Sequence, residues 1–215
     1  MIEAVLFDLD GTLLDTLDDI ADCANKVLEM NGWPLHDVEA YKYFVGGGAA
    51  VLVRRIVPED VTSPEELRKF EKAYSELYGK HSTDKTRPYA GIPELLAVLK
   101  ERGIKSAVVS NKPDAPTQQT VEHFFGKGAF DFVIGNRPGL PLKPDPAIVL
   151  LAAESIGAEP NRCLYVGDTG SDMMTARASG CAAVGVTWGF RKENELLDGG
   201  AEFLIDSPEE LLSLL

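Results

Sequence analysis

The chain has 215 residues, 45% of them apolar, with a formal net charge of −13. That length suits one large α/β domain or a domain with a smaller one inserted, and the charge excludes a nucleic-acid partner, since no basic stripe offsets it. No apolar run approaches the roughly 20 residues needed to span a bilayer, so no membrane partner is expected. A cleavable leader is also unexpected, because cleavage would remove the acidic motif at the N-terminus. The three cysteines Cys23, Cys163 and Cys181 show no CxxC spacing and read as reduced, buried thiols of a cytoplasmic protein.

In chain order, the first element is the apolar run Val5-Leu6-Phe7, a buried strand that leads into Asp8-Leu9-Asp10-Gly11-Thr12. Asp8 and Asp10 are two apart, so on an extended backbone they point to the same side. Gly11 lets the chain turn, which places both acids at the carboxyl end of a parallel strand, where open α/β sheets bind ligands. Two acids at the end of a buried strand are costly unless they bind something, and a cation with a reacting phosphate would offset that cost. The plain alternative is a pair of turn or capping aspartates.

A long helical stretch follows. Leu17, Ile20, Ala21, Ala24, Val27 and Leu28 give one apolar face at helical spacing, stopped by Asn31-Gly32. A second helix is predicted from Asp37 to Phe44, broken by Gly46-Gly47-Gly48, and a third from Ala49 to Val57. Ser63-Pro64-Glu65-Glu66 opens a fourth as a capping box, with Gly79 expected to close it. From Pro88 the pattern alternates. Helices are predicted over Pro93–Arg102, Ala115–Phe125, Ala147–Ile156 and Ser171–Ser179, with a last one opening at Ser207. Strands are predicted over Lys105–Ser110, Phe132–Ile134, Cys163–Val166, Ala182–Val186 and Phe203–Ile205. Strict alternation means a doubly wound, Rossmann-like parallel sheet. The expected organisation is therefore an α/β core of residues 1–14 and 86–215, with an inserted helical cap domain of residues 15–85.

Three later strand ends carry polar residues: Ser110-Asn111-Lys112, Lys143-Pro144-Asp145-Pro146 and Gly167-Asp168-Thr169-Gly170-Ser171-Asp172. Each alone reads as turn, loop or cap. Together with Asp8 and Asp10 they can converge on one crevice.

This set of motifs, in this order, resembles the haloacid dehalogenase-like hydrolases, a superfamily dominated by phosphatases, and the helical insertion resembles that family's cap. The resemblance implies that Asp8 is the nucleophile forming an aspartyl-phosphate and that Asp10 is the general acid and base. It implies that Mg²⁺ is held by Asp8, the backbone carbonyl of Asp10 and Asp168, with Asp172 acting through the second layer or a metal-bound water. Ser110 and the groups after Asp8, as far as Thr12, would hold phosphate oxygens together with Asn111, and Lys143 would sit beside nucleophile and phosphate. Counting Asp8, Asp168 and Asp172 against Mg²⁺ and Lys143 gives a neutral site before substrate enters, so Lys143→Ala is expected to abolish most activity without unfolding the protein. Relatives that dehalogenate lack an aspartate at the position of Asp10, which points this chain to phosphate esters.

Phe44-Val45-Gly46-Gly47-Gly48-Ala49, leading to Arg54-Arg55, is similar to the cap segment of phosphoglycolate phosphatases, as are Ser110-Asn111-Lys112-Pro113 and Val186-Thr187-Trp188-Gly189-Phe190. By that resemblance Gly47 would contact substrate and one of Arg54 and Arg55 would clamp its carboxylate. The alternatives are a helix-breaking loop and a solvated helix face. The reading is an Mg²⁺-dependent hydrolase of a small phosphorylated metabolite, 2-phosphoglycolate foremost, acting as a monomer or homodimer. Pyrophosphate, a nucleotide or a sugar phosphate as substrate, or phosphomutase chemistry, are alternatives. A non-catalytic binding protein should have lost at least one of Asp8, Asp10, Lys143 or Asp168.

Overall fold

The computed structural model describes residues 2–215. Strand β1 (Ala4–Phe7) is buried along its whole length. A turn through Gly11 leads to the two-residue strand β2 (Leu14–Asp15), and the chain then leaves the sheet for four helices, α1 (Leu17–Met30), α2 (Val38–Phe44), α3 (Ala49–Ile56) and α4 (Pro64–His81). Strand β3 (Arg87–Pro88) pairs antiparallel with β2 and brings the chain back. The rest alternates as α5 (Ile92–Glu101), β4 (Lys105–Pro113), α6 (Asp114–Phe125), β5 (Phe132–Asn136), α7 (Ala147–Ile156), β6 (Cys163–Gly167), α8 (Gly170–Ser179), β7 (Ala182–Val186), α9 (Glu193–Gly199) and β8 (Phe203–Ile205), closing on a 3₁₀ helix at Pro208–Ser213.

The sheet order is β5-β4-β1-β6-β7-β8, parallel throughout. From β1 the chain winds outward through β4 and β5, then crosses to the other side of β1 for β6, β7 and β8. That reversal opens a crevice at the carboxyl ends of β1 and its neighbours. Apolar side chains of α5 and α6 cover one face of the sheet, and those of α7, α8 and α9 the other. Phe7 lies opposite Val108 on β4 and Val166 on β6, so Asp8 follows the last paired residue of β1 at the level of Val109 and Gly167. The backbone N–H of Asp8 still donates to Val166, at 2.9 Å.

The four inserted helices have an apolar core of their own, built on Ile20, Ala24, Leu28, Tyr41, Leu52, Phe70 and Tyr74. Phe190, from the loop after β7, is the sheet-side residue that joins it. Where the chain enters and leaves this bundle, the buried Asp19 of α1 accepts hydrogen bonds from the backbone N–H groups of Lys85 and Thr86 and from the Thr86 hydroxyl at 2.7 Å. One carboxylate thus fastens both connections.

Some elements differ from expectation. Helix α4 runs through Gly79 to His81, because one glycine in a helix interior costs only about 1 kcal/mol and its other contacts carry it on. Strand β4 extends to Pro113 with a register shift after Val109. The Ser207 segment forms a 3₁₀ helix, and α9 escaped the periodicity reading because Leu196 is its one buried residue.

Candidate functional site

The end of β1 delivers Asp8 into a buried cluster of charges. Lys143, from the loop before α7, places its ammonium 2.7 Å from Asp8 Oδ1 and 2.7 Å from Asp172 Oδ1. It also donates to the Tyr165 hydroxyl at 3.0 Å, and that hydroxyl donates on to Asp172 at 3.3 Å. The second Asp172 oxygen accepts from the Thr169 hydroxyl at 2.6 Å and the Thr169 N–H at 3.1 Å, while the Asp172 N–H donates back to Thr169. This is a reciprocal cap on α8. It makes Asp172 a rigid post for Lys143 and engages both its carboxylate oxygens.

Asp168, at the end of β6, is fully buried. It accepts from the Phe190 N–H at 2.8 Å and from the Thr12 hydroxyl at 3.3 Å. Gly11 is what lets the β1 turn close over it. A Cβ there would lie 2.3 Å from an Asp168 carboxylate oxygen, and its φ of 87° is one that side chains rarely adopt. Asp8, Asp168 and Asp172 each bring a carboxylate oxygen within 4.8 Å of the others. Three buried acids held this close repel one another and lose hydration. Burial drives the Asp8 pKa up to about 7 against the pull of Lys143, and burial with the charges of Asp172 and Asp8 pushes Asp168 well above the carboxylate range. Burial alone would lower Lys143, but the charges of Asp172 and Asp8 outweigh it and hold it firmly protonated.

In front of Asp8 lies a cavity of about 90 Å³, walled on the sheet side by Asp8, Asp10, Ser110, Asn111 and Lys112 and on the helical side by Gly46, Gly48, Leu52, Tyr74 and Tyr78. Contacts join the two sides. The Asn111 side chain donates to Gly46 O at 2.9 Å, Arg191 donates to Val45 O at 3.0 Å, and the Lys112 ammonium joins Asp10 at 3.1 Å to the Tyr78 hydroxyl at 2.8 Å. Gly48 passes so near Asn111 that a Cβ would meet its carbonyl oxygen at 3.0 Å.

Asp8, Asp10, Ser110 and Asn111 are therefore brought together on one wall, with Lys143, Asp168 and Asp172 packed about Asp8. The remaining expected residues lie elsewhere. Thr12 gives its hydroxyl to Asp168 and does not line the cavity. Gly46 and Gly48 line it, but Gly47 does not. Arg54 donates to Val61 O at 3.2 Å, and Arg55 to Tyr43 O and Phe44 O at 3.1 Å each. Both arginines border a separate groove between α3 and α4. The Arg54–Arg55 face of α3 points away from the cavity because Leu52, Val53 and Ile56 take the buried side. Sequence reasoning passed over Tyr165, Thr169 and Arg191 as site residues. A tyrosine in an apolar strand directly before the acidic motif, and a Thr-x-x-Asp capping pattern within it, were the available signals.

The match of residues 5–186 to the haloacid dehalogenase-like hydrolase model agrees with this geometry. The chain belongs to that family. A phosphoglycolate phosphatase of Aquifex aeolicus is 32% identical over 100% of this chain and 97% of its own length. An N-acetylmuramic acid 6-phosphate phosphatase of Pseudomonas aeruginosa is also 32% identical, over 100% of this chain and 95% of its own. The crystal structure of a predicted phosphoglycolate phosphatase from Haemophilus somnus superimposes with a TM-score of 0.92 at 28% identity, covering 99% of this chain and 97% of that one. The chain is a phosphatase. No helix among the described residues is long and apolar enough to cross a membrane.

Proposed function

We propose that the protein is a cytoplasmic, Mg²⁺-dependent phosphomonoesterase that works through an aspartyl-phosphate on Asp8, with 2-phosphoglycolate as its foremost substrate. The observation that carries this reading is the position of Asp8: at the tip of the central strand, facing a cavity between sheet and helices, with Lys143 at 2.7 Å. A carboxylate approaching a phosphate dianion meets like-charge repulsion, and Lys143, within 2.7 Å of both Asp8 and Asp172, offsets it. Asp8 would attack phosphorus while Asp10, in the same cavity, gives a proton to the leaving oxygen, then takes one from the water that hydrolyses the acyl phosphate on Asp8. Ser110 would hold a phosphate oxygen. The cavity's closure by Tyr78, Asn111 and Arg191 would exclude bulk water during both steps.

The donor set suits a hard divalent cation, since it is all carboxylate oxygen, buried and short of positive charge. Asp8 and Asp168 would hold the ion, with the Asp10 carbonyl, while Asp172 keeps Lys143 in place. Bound there, Mg²⁺ would neutralise charge on the transferring phosphoryl group. Three free, buried cysteines support a reducing compartment.

The relative from Pseudomonas aeruginosa favours a sugar phosphate as the second reading, and the small volume in front of Asp8 favours the smaller ester. Phosphate release with Mg²⁺ decides between them. We expect kcat/KM for 2-phosphoglycolate to exceed that for N-acetylmuramic acid 6-phosphate by at least about 10-fold, the scale on which a pocket discriminates size. The reverse order would assign the sugar phosphate.

A further inference from the structure

Among the residues that line the cavity, Lys112 is the one cation. Its side chain is 6% exposed, and its ammonium donates to Asp10 Oδ1 at 3.1 Å and to the Tyr78 hydroxyl at 2.8 Å. An ammonium has three N–H donors, so one remains to face the cavity. Ser110 and Lys112 both line the cavity, and the Lys112 N–H donates to the Ser110 hydroxyl at 3.2 Å, which keeps the two residues side by side. A phosphate held by Ser110 therefore has Lys112 as its next neighbour toward the cap.

We infer that Lys112 selects the substrate, by binding an anionic oxygen carried on the carbon next to the ester carbon. The preferred class is then phosphate esters of short 2-hydroxy acids. The inference rests on the reading of Asp10 as the acid that meets the leaving oxygen. Lys112 Nζ lies one hydrogen bond from Asp10, so a carboxylate one carbon beyond the ester carbon comes within reach of its third N–H. A neutral ester of the same size leaves that donor unfilled in a buried site, and such a loss is costly. No arginine of α3 competes for this role, because Arg54 and Arg55 bond to backbone outside the cavity. Tyr74, Tyr78 and Leu52 line the helical side of the same cavity.

The test compares kcat/KM with Mg²⁺ for 2-phosphoglycolate and for ethyl phosphate, which has the same two carbons and no oxygen on the second, in the wild type and in Lys112→Met. The wild type should prefer the acid on the order of 100-fold, and the ratio of the two values should fall at least about 10-fold in the variant. Lys112→Arg should keep most of the preference. Lys112→Gln, which retains a donor for Asp10 and Tyr78, gives the same ratio test if the methionine variant does not fold. Equal loss on both esters, with the wild-type preference intact, would overturn the inference and make Lys112 a brace for Asp10 and the cap. A wild type that turns over both esters without preference would instead defeat the substrate reading, and one that turns over neither would defeat the catalytic reading.

Discussion

The strand ends of the sheet and the helices of the insertion face the same cavity, but they constrain their side chains by different means. Asp8 follows a strand paired on both sides, and the register with β4 and β6 sets its height and direction. Its neighbours Lys143, Tyr165 and Asp172 are locked by hydrogen bonds of 2.6–3.3 Å that engage both oxygens of Asp172. On the insertion, α3 could present any face until its packing on α2 and α4 turned Leu52, Val53 and Ile56 inward and the arginines out. The proposed chemistry sits on the part whose geometry pairing determines, and the helical part supplies the facing wall, joined to the sheet side by the Asn111, Lys112 and Arg191 contacts.

The largest effect that would break this contrast is at Asp8, the proposed nucleophile. Asp8→Asn should lower kcat by about 10⁴-fold or more, measured as phosphate release, while leaving the fold intact. Next is Lys143→Ala. The surroundings of Lys143 alter the expectation that this change spares the fold: it would strand Asp8 and Asp172 as buried, uncompensated charges. Breaking such a pair costs about 3–5 kcal/mol. At this chain length a melting experiment should show a loss on the order of 10 °C, together with the loss of activity. An unchanged melting temperature would mean that the acids are not charged together.

Titration offers a further way to sharpen the contrast. The Asp8 pKa is about 7 in the folded, metal-free chain and lies in the ordinary carboxylate range when unfolded. Between those values the folded state keeps a proton that the unfolded state has released, so this group's contribution to stability is full below about pH 4 and lost as pH rises toward 7. Asp168 acts in the same direction. Lys143 remains charged throughout this window. The melting temperature of metal-free protein should therefore fall from pH 5 to pH 8 more steeply than that of Asp8→Asn. Millimolar Mg²⁺ should raise it more at pH 8 than at pH 5, because the ion binds ionised carboxylates. A pH-independent Mg²⁺ effect would place the ion elsewhere.

Two smaller effects concern the helical side. Asp19→Ala leaves the backbone donors of Lys85 and Thr86 unpaired at the junction and should cost about 2–3 kcal/mol in urea unfolding. Arg54→Ala and Arg55→Ala should each leave kcat/KM within about 2-fold, as exposed substitutions away from the site do. A loss above 10-fold in either would put an arginine clamp back in the mechanism.

The fold was legible because alternation of valine-rich runs with helical periods has few topologies open to it. Asp8, Asp10, Ser110 and Asp168 were legible as candidates because each ends or follows a strand, and Lys143, in the loop before α7, through the motif order of the family the chain resembles. What escaped was relational. Tyr165 looks like any core aromatic until Lys143 is seen 3.0 Å from its hydroxyl. Asp19 looks like a first-turn acid suited to the helix dipole, yet its partners lie far along the chain at Lys85 and Thr86. Lys112 could be quoted as part of a motif, but its reach to both Asp10 and Tyr78 depends on how the insertion settles. Spacing along one chain cannot state contacts that two separately packed bodies make with each other.

The central claim is that phosphate passes through Asp8. The direct measurement is rapid acid quench of the enzyme with Mg²⁺ and ³²P-labelled 2-phosphoglycolate, followed by peptide mapping. The account expects base-labile label on the peptide that contains Asp8, formed no more slowly than phosphate is released and missing in Asp8→Asn. Steady phosphate release with no labelled protein, or label on another residue, would contradict it.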